Sequence, residues 1–378
     1  MKIAIVTHNL DRKGGQGQVN YEIAQEVLRQ GHQLIMIASN IDSDLRQHPL
    51  AICVFIPVHG WPTQLLRNLI FAWRSSYWLH KHLQSFDLAV ATGFTTWASA
   101  DVNIVQFVHS AWLRLVFCGA GLEKGFYGIY QRLYTAINAW LEKKSFRKSK
   151  VIVAVSEKIR QELMDIIAFK ERIYVIHNGV DLDEFFSGSG DRVKFGLPEG
   201  VALAVFVGDI KTHRKNLDTV LMALAEVSEL HLAVVGNTKR SKYPKLAEKL
   251  GLSGRAHFMG YRKDVAEIMR ASDFFVFPSR YDPWGIVVSE AMASGLPIIT
   301  AKTVGASEIV TPQCGVVLDD PNDVEGLVKA LRMLVDNSDL RKQMGQAARV
   351  IAEQHSWVNK AKEYVDLFEE ICKSKVNK

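Results

Sequence analysis

Cysteine and proline are scarce in this sequence. Its 378 residues include only 4 cysteines and 10 prolines. The cysteines, Cys53, Cys118, Cys314 and Cys372, lie far apart and form no CxxC pair. This scarcity excludes a disulfide-stapled miniprotein and indicates buried thiols in a reducing cytoplasm.

Long apolar segments are absent as well. No apolar run reaches the ~18 residues that a membrane-spanning helix needs. The apolar residues 1–10 run directly into a glycine-rich turn and lack the small-residue cleavage site of a signal peptide. We therefore interpret this segment as a first β-strand and expect a cytoplasmic protein.

The excess of positive charge is small. The 46 Lys and Arg residues against 40 Asp and Glu give a formal net charge of +6. This excess suits anionic ligands or a membrane surface, and it is too small to indicate nucleic acid as a partner. Apolar residues make up 48% and charged residues 23%, values that exclude a largely disordered chain.

Short β-rich segments alternate with amphipathic stretches of helical period along the chain. This alternation is typical of βαβ units and parallel sheets, and it restarts after the small polar residues 186–191. We predict two doubly wound α/β domains with a cleft between them, residues 1–183 and 184–355. The predicted strands are residues 2–8, 33–39, 51–56, 88–92, 103–108, 151–156 and 173–176, then 202–207, 230–235, 256–259, 274–277, 297–300 and 315–318.

A first cluster, Gly14-Gly15-Gln16-Gly17, precedes a predicted helix over residues 19–30. Glycines at a strand–helix turn let backbone N–H groups approach an anion, and the helix dipole adds to the attraction. A dinucleotide-binding fingerprint would need a third glycine where Asn20 stands. A simple flexible turn is an equally good interpretation of this segment alone.

A second cluster, Lys211, Arg214 and Lys215, follows the predicted strand 202–207. Open α/β sheets bind ligands at the carboxyl ends of their strands. An Arg fork and Lys point charges there suit a diphosphate. The alternative is a solvated basic loop.

The third cluster lies between Pro278 and Pro297. Asp282 precedes a helix predicted to start near Gly285, and Glu290 lies inside that helix. A loop carboxylate, free helix amides and a deeper carboxylate can bind a sugar hydroxyl, a phosphate and a ribose diol. Taken singly, Asp282 could be an ordinary N-cap and Glu290 a member of a surface salt bridge.

This third string resembles the E-x7-E motif of the retaining nucleotide-sugar glycosyltransferases of family 4, and the resemblance extends over nearly the whole chain. The segments that carry it, in chain order, are Gly14-Gly15 with Arg29-Gln-Gly31-His32, Val155-Ser-Glu157, His177-Asn-Gly-Val-Asp181 with Phe185, Phe206-Val-Gly208 with Lys215-Asn-Leu217, Asp282 to Glu290, and Val304-Gly305 with Glu308-Ile-Val310. It implies the GT-B fold of two facing Rossmann-like domains, with a C-terminal helix, residues 356–378, crossing back to the first.

The resemblance also implies residue roles. Asp282, His109 and Lys215 are expected to be catalytic: Asp282 binds hydroxyls of the donor sugar, His109 faces the sugar from the end of strand 103–108, and Lys215 neutralises the leaving diphosphate. The remaining positions are expected to bind the nucleotide sugar, with the base near Tyr261 and the ribose on Glu290. They are Gly15, Gly17, Asp209, Arg214, Lys215, Tyr261, Arg262, Gly285, Ile286, Val287 and Glu290.

The sequence departs from the family pattern at three positions. Asp282 stands where Glu is usual, Asp209 where Arg is usual in the phosphate loop, and Val304 at the first position of a double glycine. A carboxylate at 209 would repel a diphosphate, so we expect Arg214 to replace the missing cation. Val304 is expected to narrow the loop beside the donor.

No metal or cofactor is expected. Asp181-Leu-Asp183 imitates a D-x-D metal motif but belongs to a turn at the end of the first domain. Lys215, Arg214 and helix N-termini would then stabilise the leaving group, and the resemblance implies retention by front-face attack. The expected donor is a UDP-sugar, and the alternatives are a GT-B-like nucleotide-sugar epimerase or a non-catalytic binding protein.

The acceptor is predicted from aromatic and basic residues mixed on amphipathic segments of the first domain, residues 61–82 and 112–150. Such surfaces suit anionic lipid headgroups, so a glycan or lipid-linked acceptor of cell-envelope synthesis is expected, with contact at the inner face of the membrane. The alternative is that these helices pack on the sheet with their aromatic side chains inward.

Overall fold

The computed structural model of the chain describes residues 1–12, 14–117, 126–167 and 172–376. Cys118 and part of the predicted aromatic and basic stretch 112–150 lie outside the described residues. The chain forms two compact units, one of Met1–Gly179 with Trp357–Lys378 and one of Val180–Ser356. The sequence-based division at residue 183 falls a few residues after this one.

Unit 1 is built on a parallel sheet. Its strands are β1 (Lys2–Val6), β2 (Asn9–Leu10), β3 (Gln33–Ala38), β4 (Asn40–Ile41), β5 (Ala51–Phe55), β6 (Leu88–Thr92), β7 (Val102–Val105), β8 (Val151–Ala154) and β9 (Ile173–Val175). The main sheet has the order β5-β3-β1-β6-β7-β8-β9, and β2 pairs with β4 separately. Its helices are α1 (Gly15–Arg29), α2 (Ser43–Arg46), α3 (Gln64–Lys81), α4 (His109–Phe117), α5 (Phe126–Lys148), α6 (Glu157–Met164) and, from the end of the chain, α13 (Trp357–Val376).

Unit 2 repeats this construction with a smaller parallel sheet of order β12-β11-β10-β13-β14-β15. Its strands are β10 (Ala202–Val207), β11 (Leu230–Val235), β12 (Ala256–Gly260), β13 (Phe274–Phe277), β14 (Ile298–Ala301) and β15 (Gly315–Leu318). Its helices are α7 (Leu217–Ala225), α8 (Tyr243–Lys249), α9 (Val265–Arg270), α10 (Ile286–Ala293), α11 (Val324–Asp336) and α12 (Ser338–Gln354). The central strands are apolar throughout, and all four residues of β13 are fully buried, as expected for parallel strands covered on both faces.

The two Rossmann-like sheets confirm the predicted fold class, and each predicted strand is present, some with the predicted ends and others with shifted ends. The largest differences lie in unit 1, where strand 103–108 ends at Val105 and α1 begins at Gly15 instead of residue 19. The short β2 and β4 were not predicted, since two residues carry no periodic signal. None of the described helices is long and apolar enough to cross a membrane.

Two features of this fold position the candidate site. In unit 2 the strand order reverses between β10 and β13, which places the loops after these strands on either side of a crevice at the carboxyl edge of the sheet. In unit 1, α13 packs against α1. Tyr364 and Phe368 of α13 are fully buried, so the chain terminus supports the helix that follows the glycine-rich turn.

Candidate active site

The most strongly coupled charges of unit 2 meet at the carboxyl edge of its sheet. Nζ of Lys215, from the loop after β10, forms an ion pair with Oδ2 of Asp282, from the loop after β13. The two side chains are only 13% and 11% exposed, and the ammonium lies 5.0 Å from the ring centre of Phe277. Burial lowers the pKa of Lys215, the charge of Asp282 opposes this shift, and the charge of Arg214 adds to it.

Asn216 fixes the position of Lys215. It follows the short 3₁₀ turn His213–Lys215 and has a positive φ of 63°, which Asn tolerates better than most residues. Its side-chain amide donates to the carbonyls of Pro278 at 2.8 Å and Pro321 at 2.6 Å. The basic turn is therefore tied to the loop that carries Asp282.

A second ion pair ties the same two loops. Arg280 donates two hydrogen bonds to the carboxylate of Asp218, at 3.0 and 2.9 Å, and its backbone N–H donates to the carbonyl of Arg214 at 2.9 Å. Burial raises the pKa of Asp218, but the hydrogen bonds and charge of Arg280 outweigh burial and lower it. The sequence analysis did not identify this pair, because its members come from segments far apart in the chain.

The backbone around Asp282 is held from both sides. Its N–H donates to the carbonyl of Thr303 at 3.1 Å, its carbonyl accepts the N–H of Gly305 at 3.0 Å, and it forms a β-bridge with Val304. Gly285, the residue before α10, has a φ of 89°, and a Cβ there would lie 2.8 Å from Cγ1 of Val304. The side chain of Val304 thus reduces the space inside this loop, and the absence of a Cβ on Gly285 makes room for that side chain.

Asp282 is not an N-cap. Helix α10 begins at Ile286 with Gly285 in the capping position and no side-chain cap, so the N-cap interpretation is wrong. No side chain caps the helix, so the first amides of α10, including those of Ile286 and Val287, have no capping partner in the segment that follows Asp282.

Glu290 lies one turn deeper in α10 and is partly exposed as a residue. Burial of its carboxyl group raises its pKa to about 8, and the negative charge of Glu184 adds to the shift. The surface salt-bridge interpretation of Glu290 is not supported, because the charge that contributes to its pKa shift, that of Glu184, has the same sign.

The remaining predicted residues of unit 2 are more exposed. Oδ1 of Asp209 accepts the backbone N–H of Lys211 at 3.1 Å, so this carboxylate forms a local hydrogen bond within the loop after β10. Tyr261 is 75% exposed after β12. The guanidinium of Arg262 pairs with Asp264 at 2.8 and 2.5 Å. Arg262 is thus paired with Asp264, whereas the ring of Tyr261 is exposed to solvent. The predicted contact of both residues with the base stays a prediction.

In unit 1, Gly15 and Gly17 lie in the first turn of α1 rather than in a loop before it. Gly15 is exposed, whereas a Cβ on Gly17 would lie 2.5 Å from Oδ1 of Asp11, so only glycine fits there. Asn20 donates to Oγ1 of Thr7 at 2.8 Å and accepts from Thr92 at 3.1 Å. The third glycine of a dinucleotide fingerprint is replaced by a side chain that ties α1 to the ends of β1 and β6.

His109 is the first residue of α4, and not the end of a strand as predicted. Its backbone N–H donates to Oε2 of Glu142 at 2.9 Å, and its ring Nδ1 lies 2.6 Å from Oε1 of the same residue. Glu142, on α5, is buried. The sequence analysis did not identify this partner, because His109 and Glu142 lie 33 residues apart in the chain.

The D-x-D segment forms a turn. Oδ1 of Asp181 accepts the backbone N–H groups of Asp183 and Glu184, both at 3.0 Å. Across the described part of the chain there is no cluster of three or more His, Cys, Asp or Glu residues that could hold a metal ion.

Two family models match the chain. The model described as Glycosyltransferase Family 4 matches residues 13–184, and the model described as Glycosyl transferases group 1 matches residues 189–350. The chain belongs to the family-4 type of glycosyltransferases. This confirms the family predicted from the E-x7-E string and the accompanying segments.

A sequence relative agrees with this family, and solved structures share the fold. The lipopolysaccharide glucosyltransferase WaaG of Escherichia coli (strain K12) is 28% identical over 355 residues, 90% of this chain and 91% of WaaG. Sucrose-phosphate synthase from Thermosynechococcus elongatus has a TM-score of 0.82 at 17% identity, over 99% of both chains. Anabaena Alr3699/HepE in complex with UDP and glucose has a TM-score of 0.71 at 19% identity, over 98% of this chain and 99% of that one. These structures share the GT-B fold.

Within this glycosyltransferase, unit 2 brings together the residues that were predicted to bind the leaving group and the sugar. Lys215 and Asp282 touch, and the start of α10 follows Asp282 directly. Arg214, Asp209 and Glu290 lie in the same loops or in the helix that follows. Gly15, Gly17 and His109 belong to unit 1, and their roles toward a donor stay predictions.

The Lys215–Asp282 pair predicts non-additive effects on stability. Lys215→Met or Asp282→Asn alone leaves one buried charge without its partner and should lower the free energy of unfolding by about 3 kcal/mol. The double variant should lose much less than the sum, as measured by chemical denaturation. Lys302→Met, which removes one member of an exposed pair with Asp319, is the control and should change stability by less than about 0.5 kcal/mol. Additive losses would contradict the coupling.

Glu290 predicts a pH-dependent gain in stability on substitution. Its pKa is about 8 in the folded chain, above that of an unfolded glutamate, so folded-state stability is lost progressively as the pH rises from about 4.5 to 8. Glu290→Gln removes this loss. We expect the variant to melt a few degrees higher than wild type at pH 8.5 and at the same temperature at pH 4.5. Glu199→Gln, at an exposed position, is the control; equal shifts at both pH values would refute the assignment.

Proposed function

We propose that this chain transfers a hexose from a UDP-sugar to a glycan or lipid-linked acceptor in cell-envelope polysaccharide synthesis. The observation that carries the proposal is the buried Lys215–Asp282 pair beside the uncapped start of α10. This arrangement offers a cation and helix amides to a diphosphate, and a carboxylate to sugar hydroxyls. The relatives supply the substrate class: WaaG is a lipopolysaccharide glucosyltransferase, and HepE was solved with UDP and glucose.

In the proposed mechanism, the diphosphate of the donor forms an ion pair with Lys215 and replaces Asp282 as its partner. The ammonium and the amides of Ile286 and Val287 then stabilise the negative charge that develops on the leaving group, in surroundings where such interactions are strong. Released from Lys215, Asp282 binds donor-sugar hydroxyls. Arg214, whose guanidinium has no hydrogen-bond partner among the described residues, supplies the second cation.

The remaining parts of the proposal concern the ribose, the base and the stereochemistry. Glu290 binds the ribose diol, and Tyr261 packs on the base. Attack occurs on the face from which UDP leaves, and the departing phosphate oxygen accepts the acceptor's proton, so the anomeric configuration is retained. No metal or cofactor takes part, because Lys215, Arg214 and helix amides supply the positive charge.

A donor and acceptor screen tests the function. UDP at millimolar concentration should raise the melting temperature, whereas ADP and GDP should not, because binding stabilises the folded chain in proportion to the logarithm of ligand concentration over Kd. UDP-glucose, UDP-galactose and UDP-N-acetylglucosamine are then assayed for UDP release with truncated lipopolysaccharide as acceptor. NMR of the product should show a retained anomeric configuration, and EDTA should have no effect.

Variants assign the transfer to the proposed site. Lys215→Ala and Asp282→Asn should each lower transfer by about a hundredfold or more, the effect of losing a group that stabilises transition-state charge. Circular dichroism must show that they are folded, and Lys302→Ala is the control. Unchanged transfer would refute the site. Sugar epimerised without acceptor would indicate an epimerase, and UDP binding without turnover would indicate a binding protein.

The acceptor part of the proposal rests on helices α3 and α5 of unit 1. They pack together through Asn68, whose amide donates to the hydroxyl of Tyr134 at 3.3 Å. Several large apolar side chains of these helices do not face the core. They are Trp73 (65% exposed), Tyr77 (66%), Ile129 (64%), Leu133 (56%) and Trp140 (54%).

A cation lies beside one of these aromatic side chains. Nζ of Lys144 lies 3.6 Å from the ring centre of Trp140. Exposed aromatic side chains among cations suit the interfacial region of an anionic membrane.

Vesicle flotation tests this surface. The chain should float with phosphatidylglycerol-containing vesicles at low salt and less with neutral vesicles or at high salt, because part of the attraction is electrostatic. Trp73→Ser with Tyr77→Ser should lower the bound fraction several-fold. Tyr174→Ser, at an exposed aromatic residue of β9, is the matched control. No flotation at low salt would refute membrane contact and leave the transfer reaction untouched.

A further inference from the structure

The His109–Glu142 pair differs from the contacts that His80 and His82 make in unit 1. The rings of His80 and His82 bond through Nδ1 to backbone carbonyls one turn earlier, at 2.7 and 2.8 Å, which is local helix geometry. His109 instead meets a carboxylate from another helix, and that carboxylate is buried. The pair therefore depends on the tertiary structure and fixes a ring that the helix alone would leave free.

The hydrogen bonds define the state of the pair. The backbone N–H of His109 can only donate, so Oε2 of Glu142 accepts it at 2.9 Å. Oε1 lies 2.6 Å from Nδ1, the short distance typical of a charge-assisted bond. An ionised carboxylate accepts at both oxygens, which keeps the ring proton on Nδ1. A neutral imidazole in this tautomer presents an unprotonated Nε2.

The surroundings fix the ring and leave its other edge open. Phe107 and Tyr134 pack edge-on against His109, with ring centres 4.9 and 6.0 Å away. The side chain of Glu142 is 6% exposed, whereas that of His109 is 21% exposed. Among the described residues none bonds to Nε2. His109 is thus the more exposed side chain of this pair, and Nε2 is the ring nitrogen that its partner Glu142 does not engage.

We infer that Glu142 is a positioning residue, which holds His109 in the Nδ1–H tautomer so that Nε2 accepts a hydrogen bond from a hydroxyl of the sugar substrate. This inference rests on the proposed function for its ligand. It assigns a role to a residue that lies outside the E-x7-E string and the phosphate loop. Glu142 acts only through His109 and touches no substrate.

The tautomer is measured without any activity. In protein labelled with ¹⁵N-histidine at pH 8, the His109 ring should show a protonated Nδ1 and an unprotonated Nε2, and its signals are assigned by their loss in His109→Gln. Glu142→Gln should shift the ring toward the Nε2–H tautomer, because the Gln amide can donate to Nδ1. Glu369→Gln, which alters the glutamate beside His32, should leave the His109 signals unchanged. A wild-type ring protonated on Nε2 would overturn the inference, even if Glu142→Gln failed to fold.

Transfer kinetics supply the second readout. Glu142→Gln should lower kcat by about ten- to a hundredfold, by analogy with the loss of a carboxylate that orients a metal-ligating histidine, with a smaller change in KM for UDP-glucose. Glu142→Asp should recover part of the loss. In a His109→Gln background, Glu142→Gln should cost nothing further. Equal losses in both backgrounds would overturn the positioning role. If wild type shows the expected tautomer but no transfer with any donor, the proposed function fails, not the pairing.

Discussion

The ion pair between Lys215 and Asp282 is the interaction on which the candidate site depends. A buried ammonium is unfavourable without a counter-charge, and here burial lowers the pKa of Lys215 even with Asp282 in contact. The loops after β10 and β13 must therefore keep a fixed position relative to each other. Hydrogen bonds of Asn216 and of the Arg280–Asp218 pair link the two segments and hold that position. These hydrogen bonds hold the two loops together, with the Lys215–Asp282 contact between them.

Dehydrated charges recur at the other candidate positions, and their partners decide how they behave. Glu142 is buried, and both of its carboxylate oxygens contact nitrogens of His109, so its polar atoms are satisfied within the fold. Burial of the Glu290 carboxyl group raises its pKa to about 8, and the negative charge of Glu184 adds to the shift. A group in such surroundings reduces stability at neutral and alkaline pH. Under the proposed function, Glu290 would be kept for ribose binding at this cost in stability, a conflict that is common at functional sites.

The sequence predicted most of the fold and the core of the candidate site, because both depend on local signals. Strands such as 202–207 and 274–277 were predicted to the residue, since apolar runs between turns are strong signals. The contacts of Asn216, Arg280 and Glu142 were not predictable in this way. Each joins segments far apart in the chain, and only the packed tertiary structure brings such partners together. The position of His109 at a helix start was missed for a related reason, since the end of a short strand has no local marker.

The three positions at which this chain departs from the family pattern, 209, 282 and 304, are better explained together than one by one. Asp282 is one methylene shorter than the usual Glu, yet the β-bridge to Val304 and the bond to Thr303 hold its backbone where the short side chain reaches Lys215. The backbone of Val304 forms that bridge, and its side chain occupies the space in which a Cβ on Gly285 would lie. The carboxylate of Asp209 turns to the N–H of Lys211 and so does not displace Asp282 from the ammonium. The substitutions at 282 and 304 are thus geometrically linked, and reverting Asp282 to Glu alone would place an extra methylene in a loop that Val304 already narrows.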